Sequence, residues 1–205
     1  MENKSSEIFK KAGKVFFKYG IRSVSMDDIC REIGISKKTL YKYVKNKGDL
    51  IDKILELDRN NKNEFFLRNI ENLNAIDILL EVSKMLSKII TKVNPYLMHE
   101  LSKYYPEIHQ KHRQLKMQIH CERIERNLKK GITEGLYRKD IDIKLTSRIY
   151  IKKIEGMTDE NVFSPEIFSF ERIFEEMFVN YIRGISNQKG IEYFEKKRKS
   201  LKFKI

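Results

Sequence analysis

The sequence predicts an all-α fold in which a small N-terminal three-helix domain containing a helix-turn-helix is followed by a larger helical domain. Three observations lead there. Apolar residues recur at helical spacing almost throughout, strand-like alternation is scarce, and Pro95, Pro106 and Pro165 fall where one helix can yield to the next.

Helix one carries Ile8, Ala12, Val15, Phe16 and Tyr19 on one face and stops at Gly20, a residue suited to a left-handed C-cap. Ser25 caps a brief second helix by accepting a backbone N–H three residues on, with Asp27 and Asp28 at the positive end of its dipole. Ile29 and Ile33 form its inner face, Gly34 supplies a sharp turn, and Ile35 plugs it. Ser36 caps the third helix, whose Leu40 and Val44 point back into the tri-helical core. A long segment from about Lys47 to Ile70 then carries Leu50, Ile51, Ile54, Leu55, Leu57, Phe65 and Phe66, and joins the two domains.

Beyond it, 75–93 is amphipathic through Ile76, Leu79, Leu80, Val82, Met85, Leu86, Ile89 and Ile90, with Pro95 as its stop. Pro106 opens a long charged helix with Leu115, Ile119, Ile124 and Leu128 as its stripe, closed around Gly131 to Gly135. Two more helices are expected, at about Lys144–Met157 and Phe170–Ile185, and a basic stretch, 189–205, is either helix or tail. The expected division is 1–47, 48–188 and 189–205.

With 205 residues, 40% of them hydrophobic and 35% charged, the chain can bury a real core, and no apolar run is long enough to cross a bilayer. Met1 to Ser6 lack the apolar region and cleavage site of a signal peptide, so a cytoplasmic protein is expected. Cys30 and Cys121 stand far apart, as reduced thiols would, and supply neither a disulfide framework nor a zinc finger. The net charge of +13 sits at the ends: residues 1–47 hold twelve Lys or Arg against five Asp or Glu, and 189–205 hold seven against two. Two basic ends on a neutral middle suit a polyanion, because Lys and Arg neutralise phosphates.

The third helix sharpens that expectation. Its outward face is Lys37, Lys38, Thr39, Tyr41, Lys42 and Tyr43, and residues 33–48 contain five lysines and no acid. Lysines in a first turn oppose the helix dipole and gain nothing within the monomer, whereas an arriving phosphate resolves the conflict. In a helix-turn-helix the N-terminal part of the second helix enters the major groove, where Lys donates to guanine and Thr meets base edges or a thymine methyl. Lys37, Lys38 and Thr39 are therefore expected nearest the bases. Ser25, Ser36, Tyr41, Lys42, Tyr43 and Lys47 complete the expected contact set, with Ser25, Tyr41, Tyr43 and Lys47 mainly on phosphates; Tyr41 and Tyr43 have packing on neighbouring helices as their other role.

Residues 25–50, SMDDICREIGISKKTLYKYVKNKGDL, resemble the helix-turn-helix of the TetR family of transcriptional regulators. Gly34, Ile35, Ser36, Leu40, Tyr41, Tyr43, Val44, Lys47 and Leu50 fall at that family's intervals, whereas Cys30, Ile33, Lys38, Tyr43 and Val44 replace its commoner residues. A second likeness, GITEGLYRKDID at 131–142, is similar to the stretch before the family's last two helices. The resemblance implies that those helices pair with their copies in a four-helix dimer interface, that the dimer binds a palindromic operator, and that a small-molecule effector releases it. The wide apolar arc of the last helix, Phe170, Phe174, Met177, Phe178 and Tyr181, is expected to meet a second chain, with Leu145, Ile149 and Ile154 as partner face; burial inside one monomer is the other reading of so wide an arc. Tyr96, Tyr104, Tyr105, Met117, Ile119 and Tyr150, with Met98, are available to line an effector pocket or to serve as plain core.

His109 and His112 are three apart and His120 adjoins Cys121, but no fourth ligand stands at helical spacing, so no metal and no cofactor is expected. Phosphate loops, nucleophile motifs and His-Glu metal helices are missing, which argues against an enzyme. The competing reading is a helical interaction protein whose basic ends, above all Lys196-Lys197-Arg198-Lys199, touch RNA or an anionic membrane.

Overall fold

The computed structural model describes residues 2–90 and 95–200, and among them there are ten helices. Of the expected segments 75–93 and 189–205, residues 91–93 and 201–205 lie outside the described residues, as do the side chains of Leu86, Ile89 and Ile90. In chain order the helices are α1 (Glu2–Tyr19), α2 (Met26–Ile33), α3 (Lys37–Leu40), α4 (Lys47–Ile70), α5 (Ala75–Ile90), α6 (Pro95–Tyr104), α7 (Pro106–Thr133), α8 (Ile143–Gly156), α9 (Phe170–Ile185) and α10 (Gln188–Ser200). None is long and apolar enough to cross a membrane. The chain divides into two compact units, one of residues 2–69 and 95–116, the other of residues 70–90 and 117–200.

The first unit is built on Ile8, Ala12, Val15 and Phe16 of α1, Ile29 and Cys30 of α2, and Leu40 and Val44 around α3. Leu50 and Ile51 of α4 and Leu101 of α6 are buried in the same cluster. The unit therefore extends past residue 47, because the tri-helical head alone does not close its own core. Helix α6 is the element that the sequence reading missed. Pro95 does not only follow a helix; it opens one, since a first helical position has no use for the N–H that proline lacks. Glu100 on α6 reaches back to the turn after α1, where its carboxylate accepts the N–H of Ile21 at 2.6 Å. Tyr19 departs from its expected buried position: it is exposed, with its hydroxyl 3.4 Å from Glu32.

The second unit has an aromatic core. Phe174, Phe178 and Phe194 are buried with Ile76, Leu79, Leu80, Leu128, Tyr137, Ile182 and Ile185. Phe174 and Phe178 lie 5.6 Å apart, stacked, and Phe194 of α10 meets Phe178 edge-on at 6.5 Å. Gly131 makes room for this arrangement: a Cβ there would fall 2.1 Å from the Tyr137 ring. The Tyr137 hydroxyl donates to Asn127 Oδ1 at 3.1 Å, and Asn127 Nδ2 donates to the Ala75 carbonyl at 2.8 Å, so the buried polar groups answer one another. The basic C-terminal stretch is helical through Ser200, and it spends part of its charge at home: Arg198 pairs with Glu175 at 2.9 Å and Lys197 with Asp77 at 3.5 Å.

Candidate nucleic-acid interface

The head is shaped by three local devices. Ser25 Oγ accepts the Asp28 N–H at 3.1 Å while the Asp28 carboxylate accepts the Ser25 N–H at 2.9 Å, a reciprocal capping box that starts α2. Gly34 ends it at φ +72°, in the left-handed region where a β-carbon is costly, and so turns the chain tightly enough for α3 to cross. Ser36 then accepts the Thr39 N–H at 3.1 Å and starts α3. A fourth cap follows: Asn46 Oδ1 accepts the Asp49 N–H at 2.9 Å, and Asp49 accepts the Lys45 N–H at 2.7 Å, which fixes where α4 begins.

These caps decide what each expected contact residue has left to offer. Ser25 and Ser36 hold the backbone, and the Ser36 hydroxyl lies 2.9 Å from that of Thr39, so all three hydroxyls serve the fold first. Lys38, Tyr41 and Lys42 are exposed, and at spacings of three and four they share one side of the helix and its turn. Tyr43 packs partly on the head's core and its carbonyl accepts from Lys53. Lys47 is half-buried rather than presented: its ammonium sits 5.9 Å from the Phe16 ring, and burial draws its pKa down against the opposing pull of Glu100 and Asp28. Lys47 is thus a poorer phosphate contact than its sequence position implies.

Two further expectations change. Only Lys37 to Leu40 are α-helical, with a turn through Tyr43, so a helix dipole contributes little and the charge of the lysines themselves carries the electrostatics. Lys37 does gain a partner within the chain, because its Nζ lies 2.6 Å from Asp27 on α2. Cys30 is buried beside Ile29, and burial raises its thiol pKa.

The residues expected to dimerise divide. Phe174 and Phe178 are buried in their own chain, 2% and 1% exposed, and cannot meet a second one; the wide arc of α9 closes the core of its own unit. Ile154, Phe170, Met177 and Tyr181 pack partly against that core. Leu145 and Ile149, four apart on α8, stand open at 55% and 47%. The expected pocket residues also separate. Tyr96 is 82% exposed, the Tyr104 ring lies on the surface 5.3 Å from the Arg22 guanidinium, and Tyr105 packs on the first unit's core, so none of the three lines an enclosed site there. In the second unit Met117 and Ile119 are half-buried, and Tyr150 is buried and stacked on Tyr181 with centroids 3.8 Å apart. Burial holds both phenols far above their ordinary pKa, and the Tyr181 hydroxyl has no hydrogen-bond partner among the described residues.

His112 is committed to neighbours no spacing rule reveals. Arg59 on α4 donates to its Nδ1 at 2.9 Å, so the proton resides on Nε2, which donates to Asp52 at 2.6 Å. Lys111 joins the same carboxylate at 2.7 Å. Burial alone would raise the Asp52 pKa, but the bonds from Lys111 and His112 outweigh it and hold the carboxyl below its usual range.

Residues 8–54 match the model of the bacterial regulatory proteins, tetR family. The chain is 24% identical over 175 residues to the HTH-type transcriptional regulator AcrR of Shigella flexneri, covering 80% of this chain and 81% of that one. It superposes on a TetR-family transcriptional regulator from Cytophaga hutchinsonii with a TM-score of 0.70 at 16% identity, covering 91% of this chain and 96% of that one. A gamma-butyrolactone receptor described as ArpA-like has the same fold, with a TM-score of 0.59 at 16% identity over 98% and 100% of the two chains. The capped helix-turn-helix within residues 8–54 is thus that of the bacterial regulatory proteins, tetR family, and the helical body shares the fold of solved TetR-family regulators.

Proposed function

We propose that this regulator is a homodimeric repressor, working in the cytoplasm, that holds a palindromic operator and leaves it when a small molecule binds. The observation that carries this reading is the exposed Lys38, Tyr41 and Lys42 side of α3 and its turn, presented by a head whose Ser25, Asp28 and Ser36 are already used in caps. Cations without a structural duty on a preformed groove-reading element suit phosphate and base-edge contact. Lys37 and Thr39 are proposed at the bases, Lys38, Tyr41 and Lys42 at bases and adjacent phosphates, and Ser25, Ser36, Tyr43 and Lys47 as residues that position them.

Leu145 and Ile149 support dimerisation, since two large apolar side chains exposed four apart on one helix are suited to burial against a copy of themselves. The proposed effector site lies in the second unit near Tyr150, whose stacked partner Tyr181 carries a buried hydroxyl suited to a polar ligand atom. That one protein of the same fold is a gamma-butyrolactone receptor supports a small organic effector here. In functional terms residues 1–47 read DNA, 48–188 dimerise and sense, and 189–205 form a basic end.

The test begins with selection of bound duplexes from a random library, followed by fluorescence anisotropy on the selected site and on unrelated DNA of equal length. A palindromic site bound by two chains, and preferred about a thousandfold or more, is expected. Equal and weak binding of both duplexes overturns the reading.

A further inference from the structure

The ion pair between Lys37 and Asp27 bears on how the head chooses between bases and backbone. Asp27 lies in the first turn of α2 and Lys37 begins α3, and the two side chains meet at 2.6 Å across the turn while each stays more than half exposed. Among the described residues Lys38 and Lys42 form no ion pair, so Lys37 is the one member of this lysine group that meets DNA with a carboxylate already attached. The carboxylate also raises the Lys37 pKa, so the ammonium stays fully protonated.

An ammonium has three N–H donors. With one on Asp27, the remaining donors are free but the net charge they carry is largely cancelled. Phosphate contact is driven by charge and counterion release, and it loses most from that cancellation, because Asp27 both competes for the lysine and repels the phosphate. Guanine N7 and O6 are neutral acceptors and lose little.

We propose that Asp27 is a specificity-determining residue, which holds Lys37 as a donor for base edges and weakens its attraction to phosphate. The proposal rests on the reading above that α3 enters the major groove. Asp27 acts through Lys37 and has no DNA contact of its own. Because an exposed pair is weak, the effect is several-fold and falls mainly on non-specific binding.

The experiment compares the unmodified protein with Asp27→Asn, on the selected site and on unrelated duplex, at several salt concentrations. Asp27→Asn is expected to tighten binding to unrelated DNA by about three- to tenfold and to steepen its salt dependence by about one phosphate contact. Affinity for the selected site is expected to change by less than about twofold, so that the preference falls. Asp27→Glu should restore the preference, and Glu32→Gln, an equal loss of charge on the same helix, should leave it intact. In a Lys37→Ala background Asp27→Asn should no longer alter the preference. An equal gain on both duplexes, or no change on either, overturns the proposal, and far-UV circular dichroism of each variant excludes loss of fold as the cause. An unmodified protein that prefers no duplex instead overturns the operator reading, and this proposal with it.

Discussion

The head and the second unit reach a defined structure by opposite routes. In the head, four polar side chains, Ser25, Asp28, Ser36 and Asn46, fix where α2, α3 and α4 begin, each bonding to backbone within three residues of itself. In the second unit, definition comes from Phe174, Phe178, Phe194 and Tyr137, which are brought together from α9, α10 and the segment after α7. Local caps leave Lys38, Tyr41 and Lys42 on the outside of the head without structural duties, which suits them to contact with DNA. Long-range packing commits nearly every large side chain it uses.

That contrast orders the expected effects of substitution. The largest belongs to Phe178→Ala, which empties a site that is 1% exposed and removes contacts to Phe174 and Phe194; a loss of about 3–5 kcal/mol in urea unfolding is expected. Gly131→Ala comes next. The added methyl would fall 2.1 Å from the Tyr137 ring, and displacing that ring also disturbs its bond to Asn127, so about 1–3 kcal/mol is expected by the same measurement.

In the head the expectation reverses, with large effects on binding and small ones on folding. Lys38→Ala with Lys42→Ala should leave the melting temperature nearly unchanged while operator affinity falls and the salt slope drops by about two phosphate contacts. An unchanged slope would show that neither lysine meets phosphate. Ser25→Ala removes one cap and should cost about 1 kcal/mol, measured by thermal unfolding.

The smallest effect is a pH dependence. The folded pKa of Asp52 lies below its unfolded value, so its contribution is present above the ordinary carboxylate range, near pH 4, and is lost as pH falls through the depressed folded value. Asp52→Asn should flatten that part of the stability profile between about pH 5 and 2 relative to the unmodified protein.

The same contrast explains what the sequence made legible. The starts of α2, α3 and α4 were readable because caps and turns are written within a few residues, and the spans of α4 and α9 came out as expected because periodicity is also local. Phe174 and Phe178 were assigned to a dimer interface because a wide apolar arc looks the same whether another chain or the rest of its own chain covers it. Helix α6 was lost because Pro95 reads as a stop when judged only by the helix before it. The Lys37 to Asp27 pair was overlooked because helical spacing says nothing about groups that meet across a turn. His112 was weighed as a metal ligand because its true partners, Asp52 and Arg59, stand more than fifty residues away.

Glu100 and Leu101 give the reading head a debt to the middle of the chain. The turn after α1 is held by a carboxylate 79 residues downstream, and Leu101 fills part of the core beside Leu50 and Ile51. On the ribosome the first three helices therefore emerge long before the groups that complete their packing, and the head waits for roughly half the protein to be made. Anyone grafting this DNA-reading surface onto another body meets the same constraint. A splice after residue 47 would carry the contacts but not the buttress, whereas a splice that brings 2–69 together with 95–116 would carry both.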